Sequence, residues 1–150
     1  MDAVTYPTEE VVQFIADNVV PLRFAAHESS ISEDYNAIWT PTLLVLDFDG
    51  NEIQRSVGFF APGEFIAMLL LGIAKVRFSH GEFDGAQVCF QRLLEHYPES
   101  DSVPEAIFFQ GVTLFKMKHD PKELKRAYER LVAEYPNSAW TKRAVPYRLI

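Results

Sequence analysis

The side chains able to do chemistry are few and poorly spaced for it. The single cysteine, Cys89, lies between Ala86 and Phe90 in a run spaced for a packed helix. No neighbouring Lys/His pattern or helix N-terminus favours its thiolate, so a buried structural thiol is expected rather than a nucleophile. One cysteine also excludes an internal disulfide, a CxxC pair and a cysteine-rich zinc site. The four histidines, His27, His80, His96 and His119, show neither HxxxH nor HxxH spacing; no metal site is expected. No Gly-rich phosphate loop and no GxSxG stretch occurs. Glu9-Glu10 and Asp47/Asp49 are acidic pairs, but a helix first turn and a hairpin account for them better than acid–base catalysis. The expectation is a chain with no catalytic residue, no cofactor and no metal.

The elements around these residues follow from composition and pattern. A chain of 150 residues makes one domain or two small ones and buries about 70% of its unfolded surface. Its 48% hydrophobic and 13% aromatic content excludes a disordered tail. The net charge of −7 argues against a nucleic-acid partner. Residues 1–62 hold ten Asp/Glu and two Lys/Arg, whereas residues 63–150 hold eleven acids and twelve bases. That asymmetry suggests two modules with different surfaces. The N-terminal MDAVTYPTEEV lacks the basic and apolar regions of a signal peptide. The most apolar run, Phe65 to Val76, carries Gly72 and Lys75 and is too short to cross a bilayer. A cytoplasmic protein with no membrane partner is expected.

The first part predicts mixed helix and strand. Thr8-Glu9-Glu10 sets a capping hydroxyl and acids ahead of Val11, Val12, Phe14 and Ile15, giving a helix over about 8–18. Val19 to Ala26 is β-branched and aromatic, which predicts a short strand. Ser30 to Asn36 predicts a loop with a turn of helix. Thr42 to Phe48 is almost continuously apolar, as in a strand covered on both faces. Asp49-Gly50 then marks a hairpin turn and Glu52 to Val57 the returning strand. Pro62 opens a helix that runs through Phe65, Leu69, Leu70 and Ile73 to about residue 80.

The order helix, strand, Trp39-Thr40-Pro41-Thr42, strand, Asp49-Gly50, strand, helix resembles the latter part of a thioredoxin fold. The resemblance implies a cis Thr40–Pro41 bond, which an X–Pro peptide adopts at a cost of only about 0.5–1 kcal/mol. It also implies that Trp39, Thr40 and Pro41 form a wall facing the family's redox pair, with the Thr40 backbone pairing to an extended substrate. The departure from the family is large: its first, central strand and its CxxC would both precede Met1. The expected fold is therefore an α/β thioredoxin-like part lacking that strand, whose neighbours would be 20–26 and 42–48. Unpaired backbone in a buried sheet is costly. A shortened start is expected, with homodimerisation or strand exchange filling the gap as its symptom.

The second part repeats itself. At an offset of 38 residues, Phe90-Gln-Arg92-Leu93-Leu94-Glu-His-Tyr97-Pro98-Glu-Ser100 aligns with Tyr128-Glu-Arg130-Leu131-Val132-Ala-Glu-Tyr135-Pro136-Asn-Ser138. A period of this size marks stacked helical hairpins. Gly81-Glu82-Phe83 followed by Ala86, Phe90, Leu94 and Pro98 resembles the second half of a tetratricopeptide repeat. A turn residue joins the helices, a small Ala lets them approach, and Pro stops the second helix. The next unit starts near Pro104 with Gly111 and Phe115 in its first helix, and Lys118-His119-Asp120-Pro121 replaces the Gly turn. A short end helix around Ala139 to Val145 would cap the stack with Trp140. The Tyr-Pro-x-Ser ends resemble the repeats of bacterial envelope and assembly proteins.

These features predict all-α tetratricopeptide-like hairpins over 75–150 after a thioredoxin-like domain over 1–74, the two sharing the helix at about 62–80 in one continuous body. Two functions are expected of such a chain. The first is a protein- or peptide-binding scaffold whose thioredoxin-like part is redox-inactive, with Lys116, Lys118 and Lys122 receiving acidic groups. The second is most of a thiol–disulfide oxidoreductase serving redox homeostasis, its cysteines lying upstream of Met1.

Overall fold

The computed structural model describes residues 1–25 and 30–150. In chain order the elements are α1 (Glu9–Asn18), α2 (Ser30–Asp34), β1 (Thr42–Leu46), β2 (Glu52–Val57), α3 (Pro62–Ser79), α4 (Phe83–His96), α5 (Val103–Lys118), α6 (Lys122–Glu134) and α7 (Ala139–Ala144), with a closing 3-10 turn over Val145–Leu149. The chain divides into two compact units, Met1–Ile66 and Ala67–Ile150, the division falling within α3. Among the described residues no helix is long and apolar enough to cross a membrane.

In the first unit α1 buries Val11 and Phe14. Thr8 stands at its N-cap in extended conformation without a side-chain cap bond. The hydroxyl expected to cap the helix instead donates to the Thr5 carbonyl at 2.9 Å. Thr5 is fully buried, and its own hydroxyl donates to the Phe60 carbonyl at 2.5 Å. The Tyr6 and Phe65 rings meet edge-on at 5.6 Å.

β1 and β2 pair antiparallel as a two-stranded sheet, from Thr42 opposite Val57 to Leu46 opposite Glu52, with a bulge between Val45 and Leu46. The turn between them is built by Asp47, whose Oδ1 accepts from the amides of Asp49 at 3.0 Å and Asn51 at 2.8 Å. Gly50 sits there at φ 83°, where a Cβ would be strained. The Thr40–Pro41 peptide bond is cis, as expected.

The expected strand at Val19–Ala26 does not form. Residues 19–25 belong to no element, and Ala26 lies outside the described residues, as does His27. β-propensity expresses a fit to neighbouring strands rather than a backbone preference. Among the described residues this segment has no strand beside it, and Val20, Leu22 and Phe24 remain 87%, 74% and 47% exposed.

The second unit is a series of antiparallel helices. After α3, the Gly81 amide donates to Phe78 and the Glu82 amide to Arg77, closing the helix with Gly81 at φ 77°. α4 buries Ala86, Cys89, Phe90 and Leu93. α5 buries Val103, Ala106, Ile107, Gly111 and Thr113, and ends on His119 in the left-handed region at φ 54°. The Lys-His-Asp-Pro turn therefore reaches, with a histidine, the backbone shape that Gly81 gives the first hairpin. α6 buries Leu124, Ala127 and Leu131 against this stack. Gly111 is the close-approach point: a Cβ built on it would stand 2.4 Å from the Ala127 Cβ and 3.2 Å from the Glu123 carbonyl. Ser138 then caps α7 by accepting from the Trp140 amide at 3.1 Å. The Thr141 hydroxyl donates to the Tyr135 carbonyl at 2.6 Å, tying α7 to the end of α6.

Candidate protein-interaction site

The second unit carries a row of touching aromatic rings contributed by α3, α4, α5, α7 and the closing 3-10 turn. Phe83 at the start of α4 meets Phe78 of α3 at 5.6 Å between centroids. Phe78 meets Phe109 of α5 edge-on at 6.0 Å. Phe109 continues to Phe108 at 5.6 Å and to Trp140 of α7 at 5.5 Å. Phe108 also touches Trp140 at 5.2 Å and stacks on Tyr147 at 5.7 Å. Such edge and offset contacts add about 0.5–1.5 kcal/mol each beyond burial. Phe78, Phe83, Phe108, Phe109, Trp140 and Tyr147 are only partly buried, so ring edges stay open to solvent.

Two cations flank the row. Lys75 lies 5.6 Å from the Phe109 centroid while its Nζ donates to Glu105 at 2.9 Å. Arg143 lies over Trp140 at 4.4 Å. A cation against an aromatic face is held by the ring quadrupole and still presents charge to a partner.

The lysines expected to receive acidic groups flank the turn between α5 and α6, Lys116 and Lys118 at the end of α5 and Lys122 at the start of α6. Lys116 and Lys122 are exposed, and no ion pair joins either to another described residue. Lys118 is engaged: its Nζ donates to Glu123 Oε1 at 2.9 Å, and Arg126 donates to the same oxygen at 3.0 Å. Glu123 is itself 6% exposed. The hydrogen bond from Lys118, reinforced by Arg126, lowers its carboxyl below the ordinary carboxylate range.

Trp39, Thr40 and Pro41 stand immediately ahead of β1 in the first unit. Trp39 is 73% exposed, Thr40 is exposed and Pro41 half-buried. The Thr42 hydroxyl donates to the Trp39 carbonyl at 2.6 Å and fixes this bend. Cys89 is buried in α4, and burial pushes its thiol up from the ordinary value. Among the described residues no group of three or more His, Cys, Asp or Glu side chains could hold a metal ion.

Sequence reasoning missed the aromatic row. Trp140 was expected only as a cap, and Phe78, Phe108 and Phe109 carried no assignment. The paired aromatics at 108–109 in the first helix of a repeat, with Phe78 in the helix before, were the available signal.

The tetratricopeptide repeat family model matches residues 67–100 and 105–138. The two matches coincide with the hairpins α3–α4 and α5–α6. No curated protein and no solved structure matches the chain.

Proposed function

We propose that the chain is a protein-interaction module whose helical repeats hold an acidic peptide along the aromatic row, beside the lysines of the α5–α6 turn. The carrying observation is the coincidence of the two matched repeats with an aromatic row that leaves ring edges open. Aromatic side chains supply large contact area at low entropic cost. Exposed Lys116 and Lys122 supply charge complementarity, which favours encounter with an acidic segment. Under this reading residues 1–66 form a redox-inactive platform, and a second copy of the chain is a further partner through strand exchange.

The test is fluorescence anisotropy with a synthetic peptide of alternating acidic and aromatic residues. Binding is expected to weaken about tenfold in a Lys116→Glu/Lys122→Glu variant, consistent with about 1 kcal/mol or less for each exposed pair, and to weaken with salt. Binding that ignores both the substitutions and a Trp140→Ala change would refute the reading.

One observation favours a second reading, in which the chain is part of a thiol–disulfide oxidoreductase. Exposed Trp39 and the cis Thr40–Pro41 bond precede a strand, turn and strand in the order that the thioredoxin resemblance implies. The chain's one thiol is buried, so insulin reduction by this chain should not exceed free-thiol background. An in-frame CxxC encoded upstream of Met1 would support this reading for a longer product, and a stop codon there would leave the interaction module.

A further inference from the structure

Among its described residues the first unit leaves the outer edge of β1 without a strand beside it. In the β1–β2 ladder the Pro41 carbonyl accepts from the Gly58 amide at 3.0 Å, and the Asp47 amide donates to the Asn51 carbonyl at 3.0 Å. The backbone groups of residues 41, 43, 45 and 47 therefore face β2. By alternation, the N–H and C=O groups of Thr42, Leu44 and Leu46 face away from it. Among the described residues no strand lies on that side, since the sheet has two strands only. Residues 19–25, which belong to no element, are the segment able to fill it. The segment starts extended, with Val19 at φ −142° and ψ 161°. Paired as a strand, the segment would lack a donor on the edge of Pro21, Arg23 and Ala25, because Pro has no N–H. The edge of Val20, Leu22 and Phe24 would be complete, and these three are exposed large apolar side chains.

We propose that two copies of the chain associate by exchange of this segment, Val20, Leu22 and Phe24 of each pairing with Thr42, Leu44 and Leu46 of the other. This rests on the proposed self-association and assigns its surface. A second copy fits because one chain carries both halves of the contact, as a two-fold interface requires. Open strand edges are templates for such pairing. The exposure of Ile38, Trp39, Phe48 and Phe59, at 84%, 73%, 79% and 61%, adds apolar surface in the same unit for the partner to cover. The opposing effect is charge, since residues 1–66 hold eleven acids against two bases. Salt at about 0.15 M screens it beyond about 8 Å.

The experiment is sedimentation equilibrium of the full chain at that ionic strength, with hydrogen exchange on the same samples. The expected result is a two-chain mass that reverts to one chain in Leu22→Pro, which deletes a donor from the pairing edge. Arg23→Pro, which alters the edge already broken by Pro21, should retain the dimer. Position 22 is exposed and outside any element, and an unchanged far-UV CD spectrum checks that the helices persist. In the unsubstituted protein, Leu44 and Leu46 amides should gain protection as concentration rises, whereas Leu43 and Val45 are already paired with β2. A one-chain mass at every concentration overturns both self-association and its surface. A dimer that survives Leu22→Pro, or leaves Leu44 and Leu46 unprotected, overturns the surface alone.

Discussion

Two residues in the second unit make the residue-scale predictions. Glu123 is a buried carboxylate held by Lys118 and Arg126, and its pKa is lowered in the fold. A depressed carboxylate contributes stability above its unfolded pKa and loses it as pH falls through the folded one. The melting temperature should therefore fall as pH drops below about 4.5, the ordinary carboxyl value. Glu123→Gln should flatten that part of the pH profile and cost about 1 kcal/mol at neutral pH, read by urea denaturation. Cys89 gives the complementary case. Its thiol is buried and its pKa raised by desolvation, so Ellman's reagent should react slowly with the native protein. The rate should rise to that of a free thiol in denaturant, because only the exposed thiolate attacks.

At the scale of elements, the α5–α6 hairpin depends on a missing side chain. Gly111→Ala would set a Cβ at 2.4 Å from that of Ala127, so the helices must separate, at about 1–3 kcal/mol. Gly111→Ala combined with Ala127→Gly should recover the part of that loss that comes from the Cβ–Cβ clash, so the two losses should not add, while the 3.2 Å approach to the Glu123 carbonyl remains. A thermal-melt double-mutant cycle checks this, and additive losses would count against the close-packing argument. The same hairpin shows how much was legible beforehand. The offset that aligns Arg92-Leu93 with Arg130-Leu131 exposed the repeat because each unit solves the same packing problem with the same residues. Gly111 was assigned to the first helix of the repeat for the same reason. The boundaries of α1, β2 and α3 were also legible, since turn residues and apolar spacing act locally. Residues 19–25 were not, because a strand exists only with a neighbour to pair with. The aromatic row was hidden too: Phe78, Phe109 and Trp140 meet through tertiary packing that no local period encodes. Of the expected site lysines, Lys118 turned out to hold Glu123, which depends on a turn geometry the sequence does not specify.

At the scale of the whole molecule, burial is uneven. Among the described residues, the buried apolar side chains of the first unit are Val11, Phe14, Val45, Phe65 and Ile66, while the second unit buries Leu70, Leu71, Phe90, Leu93, Ile107, Leu131 and others. A two-stranded sheet is marginal on its own, and local stability follows buried apolar contact. The two units should therefore differ in how readily their backbone opens. Hydrogen exchange followed by mass spectrometry should find peptides from α4, α5 and α6 protected up to the global unfolding free energy. At concentrations where the chain is single, peptides spanning residues 19–25 and the β1–β2 hairpin should exchange through local opening, at lower denaturant and with a smaller dependence on it. Trp140 lies in the second unit against Phe108 and Phe109, so its fluorescence should track the later transition. Trp39, already 73% exposed, should report little of either. One cooperative transition with equal protection in both units would refute this difference in local stability.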